Sequence, residues 1–371
     1  MKIHIREAQL SDFEGVGLLQ KRQGLAVEWC ESHWLFLWGE NPVMQSLVGW
    51  PIGWVLEENG RIVGYLGNIP LRYWHQGKPL LIAAARGYAV DPEFRGHSLK
   101  LIAAFFSQKM PNLLLNTTAN QTTAVVFKMA GAEPIPYSDY DTAPFWIISG
   151  AGFLLATFKR LGLPSILTHF ASFLIRPVLS IVLKIRGHGP RTSLWPGQLA
   201  VIKASEMGSE FDELWQRRQL ELPRVFMADR SAELLRWHFD HVGALTRQAQ
   251  VLVARQEGFL LGYMILTRED SPAIGLKRYR VADLFVEGDS PEIIDALLGL
   301  AYTSAKKDGV HTLEWIGFPS RVRARFMATA PLVRKLPSLQ FWFKALDSAN
   351  IPKLECQKTW YANSFDGDAS L

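Results

Sequence analysis

Two stretches far apart in the chain repeat one pattern. Gly60-x-x-x-Gly64-Tyr65 places Gly64 26 residues after Trp38, and Gly258-x-x-x-Gly262-Tyr263 places Gly262 25 residues after Trp237. The agreement continues downstream. A strand pattern ending at Val90 is answered by Arg280 to Val286, the helical pattern behind it by Pro291 to Lys307, and a short apolar strand near Leu114 by Thr312 to Ile316. Self-similarity of this length predicts two copies of one domain. With 371 residues, 48% of them hydrophobic, the chain has the length for two domains, each with its own core, and its composition argues against disorder.

The order of elements predicts an α/β (α+β) fold. Met1 to Ile5 alternates like a strand, and Ser11-Asp12-Phe13-Glu14 reads as a capping box opening a helix through Leu18 and Leu19. Leu25 to Trp38 reads as a helix with Trp29, Cys30, His33, Trp34, Leu37 and Trp38 on a wide aromatic face, which serves either as core or as a platform for an acceptor. Ile52 to Glu58 and Arg61 to Tyr73 flank Asn59-Gly60, a strong hairpin signal, and His75-Gln76-Gly77-Lys78 turns into a third strand ending at Val90. Asp91 and Pro92 stop that strand. A loop containing Arg95 and Gly96 then opens a helix with apolar positions at Leu99, Ile102, Ala103 and Phe106. Unpaired N–H groups and the positive dipole end of a helix suit a pyrophosphate there, with Arg95 as a fixed cation. Asn112 to Asn116 reads as a short buried strand and Gln121 to Ala130 as a helix ending at Gly131.

The segment Val90-x-Pro92-x-x-Arg95-Gly96 resembles the acyl-CoA loop of the GNAT superfamily of N-acetyltransferases, whose pattern runs Arg/Gln-x-x-Gly-x-Gly/Ala from the position of Arg95. Ser98 and Lys100 stand where that pattern has Gly and then Gly or Ala. Asn120, Phe127 and Gly131 keep the register of a second family segment, with Phe127 replacing the Tyr that serves as general acid. The resemblance implies two GNAT-like domains, each a mixed, mostly antiparallel sheet flanked by helices. It also implies acetyl-CoA as acyl-donor substrate, seated on Ala89, Val90, Arg95, Gly96, His97, Ser98, Leu99 and Lys100 and bordered by Asn120 and Phe127. The reaction implied is direct attack on the thioester by a primary amine of a small molecule or amino sugar.

Phe127 has no proton to give, so another group protonates the leaving thiol or the thiolate departs unaided. No carboxylate lies between Glu58 and Asp91, so the nearby catalytic candidates are His97, Tyr88 and His75, with Tyr65 beside them. His97 comes first because it lies in the loop and imidazole titrates near neutrality. In the second copy the loop is Val286-Glu287-Gly288-Asp289-Ser290-Pro291, whose carboxylates repel a pyrophosphate. That copy resembles the degenerate half of tandem GNAT proteins, a layout shared with the Fem-type aminoacyltransferases. Two other functions stay open: Fem-like transfer from an aminoacyl-tRNA to a cell-wall precursor, and a GNAT-fold binding module without catalysis, to which Ser98, Lys100 and Phe127 point. For the former, the aromatic side chains needed to stack single-stranded RNA are not interleaved with the linker's charges.

Between the copies, Thr142 to Ser205 contains no Asp or Glu but seven basic residues, Lys159, Arg160, Arg176, Lys184, Arg186, Arg191 and Lys203. Within it Ser165, His169, Ser172, Arg176, Ser180 and Lys184 share one helical stripe, while Ile166, Phe170, Phe173, Leu174, Val178, Ile181, Val182 and Ile185 share the opposite face. Pro177 interrupts it, and no uncharged run reaches the ~20 residues of a spanning helix. The expectation is a helical linker packed between two domains; the alternative is weak association of residues 150–187 with an anionic membrane surface. Gly187-His188-Gly189-Pro190 reads as a connecting loop. The expected division is 1–148, a linker 149–196, 197–347 and a tail 348–371. Cys30 and Cys356 have no Cys or His neighbours at ligand spacing, so neither a disulfide framework nor a metal site is expected, and no DNA partner. The N-terminus lacks a signal pattern, which places the protein in the cytoplasm, with attachment to the inner membrane face as the alternative.

Overall fold

Asn59 and Gly60, both at positive φ (50° and 79°), turn the Gly53–Glu58 strand back into the Arg61–His75 strand, as the Asn-Gly pair predicts. Gln76 and Gly77 (φ 52° and 70°) do the same between Arg61–His75 and Lys78–Val90. These hairpins belong to a computed structural model that describes residues 3–25, 31–191, 193, 195–240, 249–336, 339–346, 351 and 354–371. It separates into two units, one of Met1–Asp141, Pro223–Thr246 and Pro337–Leu371, the other of Thr142–Leu222 and Arg247–Leu336.

In the first unit the sheet runs His4–Glu7, Gly53–Glu58, Arg61–His75, Lys78–Val90, Leu113–Ala119, Gln340–Ala345, Glu133–Pro134. The first four strands are antiparallel neighbours. Leu113–Ala119 joins Lys78–Val90 in parallel, and the helix Ser98–Phe106 lies on the crossover such pairing requires. Trp54, Leu66, Val90, Leu101, Phe105, Leu114 and Phe127 share the core between sheet and helices.

The second unit repeats the sequence of pairings. Ala249–Gln256, Phe259–Arg268 and Arg278–Val286 are antiparallel, the helix Pro291–Lys307 follows, and Thr312–Trp315 returns parallel to Arg278–Val286. Gly64 faces Val90 and Tyr65 faces Ala89 in one sheet; Gly262 faces Val286 and Tyr263 faces Phe285 in the other. The agreement reaches side chains. Arg22 donates to Ile62 O (3.1 Å) and Asp91 Oδ2 (2.8 Å), and Arg217 donates to Leu260 O (2.6 Å) and Glu287 Oε2 (3.0 Å). Each sheet is mixed and flanked by helices.

Several expectations are corrected. The units are not contiguous: Thr142–Ile147 pairs with Thr312–Trp315 in the second sheet, while Gln340–Ala345 pairs with Leu113–Ala119 in the first. Residues 360–371 are no tail, for all are buried, with Tyr137 Oη donating to Trp360 O (2.7 Å) and Arg230 paired with Asp366 (3.0 Å) at full burial. Asp12, not Ser11, precedes the first α-helix, Phe13–Arg22, and its carboxylate accepts from Gln9 N–H. The aromatic face is interior: His33, Trp34, Leu37 and Trp38 of the helix Glu31–Trp38 are buried, Trp38 donating to Asn68 O, while Trp29 and Cys30 lie outside the described residues.

The linker differs most. His188 is clamped, accepting from Ile147 N–H at Nε2 (2.9 Å) and donating from Nδ1 to Ala330 O (2.8 Å). The helix Ser165–Ile185 forms as the periodicity predicts, but its apolar face is bare, with Ile166, Phe173 and Ile185 each about 80% exposed. Packing of that face into a core is therefore overturned.

Candidate active site

Most of the candidate residues lie on the strand Lys78–Val90 or directly follow it. That strand pairs with Leu113–Ala119 only through Ile82–Leu113, Ala83–Leu114 and Ala84–Leu115; beyond Ala84 the two strands keep no pairing with each other. On its other side a bulge follows, since Tyr65 faces Ala89 and Gly67 faces Arg86, leaving Gly87 and Tyr88 opposite Leu66 alone. Gly87 has φ +64°, open to Gly at no steric cost, and its carbonyl accepts from Gln20 Nε2 at 2.9 Å.

Asp91 anchors the loop. Its buried carboxylate accepts from Arg22, Gln23 Nε2 (2.9 Å) and Arg61 Nη2 (2.7 Å); burial raises its pKa, but the guanidinium groups of Arg22 and Arg61 together hold it below the ordinary range. Pro92–His97 then winds as a 3₁₀ helix, with Phe94 buried beneath it, and runs directly into Ser98–Phe106. The winding uses some of the N–H groups expected to be free: Phe94 N–H donates to Asp91 O and Ser98 N–H to Arg95 O. No side chain caps the helix at His97. Arg95 and Lys100 are exposed and have no hydrogen-bond or ion-pair partner among the described residues. A Cβ added to Gly96 meets nothing within 4 Å, so the fold itself does not require glycine there.

Of the sequence candidates, Ala89, Val90, Tyr88, Arg95, Gly96, His97, Ser98, Leu99 and Lys100 fall together, on the last turns of the strand and on the loop that follows. Tyr88 is half-buried against the core and His97 half-buried in the loop. His75 does not join them. It sits opposite Lys78 at the far end of the hairpin, eleven residues from Gly64, or roughly 35 Å at strand rise. There it is buried, with its pKa lowered by burial against a hydrogen bond to the Val225 backbone.

Asn120 and Phe127 have structural duties. Asn120 Oδ1 accepts from Thr123 N–H to cap Gln121–Met129, and Gly131 takes the left-handed conformation after it (φ +82°). Phe127 packs against Phe105 and Phe106 at 6.0 and 5.0 Å between centroids. Tyr65 is fully buried, its pKa pushed up by burial, and its hydroxyl has no partner among the described residues.

Sequence reasoning missed the groups beyond Ala84, where the strands part. Asp368 Oδ1 accepts from Thr117 Oγ1 at 2.7 Å, Asp368 Oδ2 accepts from Thr118 Oγ1 at 3.1 Å, and Asp368 N–H donates to Thr117 Oγ1. From the other strand Arg86 donates to Asp368 O (3.1 Å) and Leu371 O (3.0 Å) and lies 3.4 Å from His33 Nε2. Thus the carboxylate absent from the core strands is brought in by a segment remote in sequence, for which no local pattern exists.

No family model matches the sequence, and no curated protein matches it. Solved structures do. A GCN5-related N-acetyltransferase from Anabaena variabilis aligns over 93% of this chain and 73% of its own, at 12% identity and a TM-score of 0.56. A conserved protein from Enterococcus faecalis, described as a probable N-acyltransferase, aligns over 93% and 72% at 10% identity and 0.58. Saccharomyces cerevisiae N-myristoyltransferase with bound myristoyl-CoA aligns over 93% and 79% at 12% identity and 0.55. At such identities the likeness shows the fold alone, a mixed α/β fold shared with these transferases.

Proposed function

We propose that the protein is an acyl-CoA-dependent N-acyltransferase whose first unit binds the donor, and that its second unit is a degenerate copy of the same domain. The observation that carries this reading is the parting of Lys78–Val90 from Leu113–Ala119 just ahead of a loop with unpaired Arg95 and Lys100 at an uncapped helix start. A pyrophosphate fits that loop by charge and by dipole. In the second unit the equivalent loop spends its groups internally, although a cavity of about 530 Å³ opens beside Gly288, Asp289 and Pro291: Glu287 and Asp289 accept from Arg217 and Arg218, and Gly288 N–H donates to Glu221.

Acetyl-CoA is the proposed donor and a primary amine of a small molecule the proposed acceptor. The amine attacks the thioester carbonyl directly, held beside it where the two strands part, and a backbone N–H of the Gly87–Tyr88 bulge polarises the carbonyl. The amine's proton passes to Asp368 or, through the loop, to His97, with Tyr88 the third candidate; the leaving thiolate needs no acid from Phe127. His75 has no part. Titration calorimetry with acetyl-CoA and longer acyl-CoAs, followed by transfer assays on a panel of amines, tests the reading. Absence of acyl-CoA binding at millimolar concentration would replace it with the tRNA-dependent or binding-module reading. The proposed location is the cytoplasm.

A further inference from the structure

The helices Gly150–Arg160 and Ser165–Ile185 pack on each other as a hairpin in the second unit. Its base is fixed by the His188 clamp to Ile147 and Ala330, and Leu161 to Pro164 form its tip. A soluble hairpin places large apolar side chains between its helices and polar ones outside. Here the inner side is mixed, with Leu154 buried and Leu179 and Leu183 half-buried, and it is the outer side that departs from the rule. The longer helix buries Thr168 and Ser172, while Ile166, Phe170, Phe173, Val178, Ile181 and Ile185 are each 60% exposed or more. Leu161 at the tip is 70% exposed and extends the same surface.

The exposed apolar set lies opposite the buried one around the helix, at 100° per residue. Arg176 stands on its flank, while Lys184, five turns on from Ile166, projects from the apolar arc itself one residue from the helix end, where its long stem reaches outward to water; both are exposed, and Lys159, Arg160 and Arg186 lie on the same hairpin. Small polar residues buried on one side and large apolar ones turned outward on the other suit a helix solvated by lipid. Flanking cations with no acidic residue from Thr142 to Ser205 match an anionic surface by charge. Spanning is disfavoured by the hairpin itself: crossing would carry Lys159 and Arg160 at its tip through the hydrocarbon, whereas lying flat leaves every cation at headgroup level.

We infer that this hairpin docks in the interface of an anionic lipid bilayer, with the outward face of Ser165–Ile185 among the acyl chains and Arg176, Lys184 and Arg186 among the headgroups. The inference does not depend on the acyltransfer reading. The test is co-sedimentation of the full chain with phosphatidylcholine vesicles containing phosphatidylglycerol, against phosphatidylcholine alone, alongside light scattering for oligomeric state. The expected result is about tenfold or greater preference for the anionic vesicles, weakened by salt. Phe170→Ser/Phe173→Ser/Ile181→Ser should abolish pelleting, and Arg176→Gln/Lys184→Gln/Arg186→Gln should abolish the preference, both with unchanged circular dichroism and melting temperature. Four results would overturn the inference: no pelleting by wild type, equal pelleting with both lipids, pelleting retained by the apolar triple variant, or wild type found as a dimer that this variant dissociates. Resistance of the bound protein to alkaline carbonate extraction would overturn the interfacial geometry in favour of a span.

Discussion

Arg86 donates to the carbonyl of Asp368 at 3.1 Å, joining the strand that enters the loop to a residue 282 positions later in the chain. The carboxylate of the same residue is held from the facing strand by Thr117 and Thr118. That geometry defines a group that touches both strands where they separate.

Asp368→Asn should therefore lower turnover at least about tenfold while leaving acyl-CoA affinity near wild type, because the amide still accepts from Thr117 but takes no proton from an amine. Steady-state kinetics beside calorimetry checks this. Equal loss of affinity and turnover would mean that Asp368 only shapes the donor site.

Arg95→Ala should weaken acetyl-CoA binding by about 1.5–3 kcal/mol, or roughly ten- to a hundredfold, with no change in melting temperature. Gly96→Val should also leave the melting temperature unchanged, since a Cβ there meets nothing within 4 Å. A fall in affinity for this variant would then report the approach of the ligand's phosphates and not damage to the fold.

Asp289→Ala should behave in the opposite way. Arg218, 1% exposed, would keep Glu221 as its one carboxylate partner among the described residues, so stability should fall by about 1–3 kcal/mol while acetyl-CoA affinity stays unchanged. Denaturant melts and calorimetry on one preparation separate the two quantities. A loss of affinity here would place the donor in the second unit.

Glu314 gives the second unit an acid limit. Burial raises its pKa, but the charges of Arg280, Arg278 and Arg334 outweigh burial and hold it at about 2 against an ordinary 4.5. A pKa depressed in the folded state stabilises above the unfolded value. This contribution, on the order of 3 kcal/mol, is complete above pH 4.5 and is lost as pH falls from 4.5 towards 2. Glu314→Gln should be less stable at neutral pH and should lose that part of the acid dependence. Urea midpoints measured against pH for both proteins decide it, and a wild-type midpoint flat across that interval would show the arginines to be ineffective.

Local order was legible in the sequence because local chemistry determines it. Asn59-Gly60 specified a hairpin, Pro291 opened a helix, and the Gly64 and Gly262 registers agreed because both glycines face the last valine of a strand. The order of strand, loop and helix from Ala89 to Lys100 was legible for the same reason. Asp368 was not, since nothing in residues 360–371 signals a position between two distant strands. His75 stands apart from the other candidates because nearness in sequence to a hairpin says nothing about which end of it a residue occupies. The helix Ser165–Ile185 was read correctly as amphipathic and wrongly as core, because periodicity defines an apolar face without saying what covers it.

The exchange of strands has a consequence for biosynthesis. Thr142–Ile147 leaves the ribosome long before Thr312–Trp315, its partner, and Leu113–Ala119 waits still longer for Gln340–Ala345. Neither sheet can close its ladder early in translation, so the nascent chain carries open strand edges until Gln340–Ala345 has emerged. A ribosome stalled after residue 336 would hold a first unit lacking both an interior strand and Asp368, and cutting the gene at the middle of the chain would yield two fragments that must find each other before either is complete.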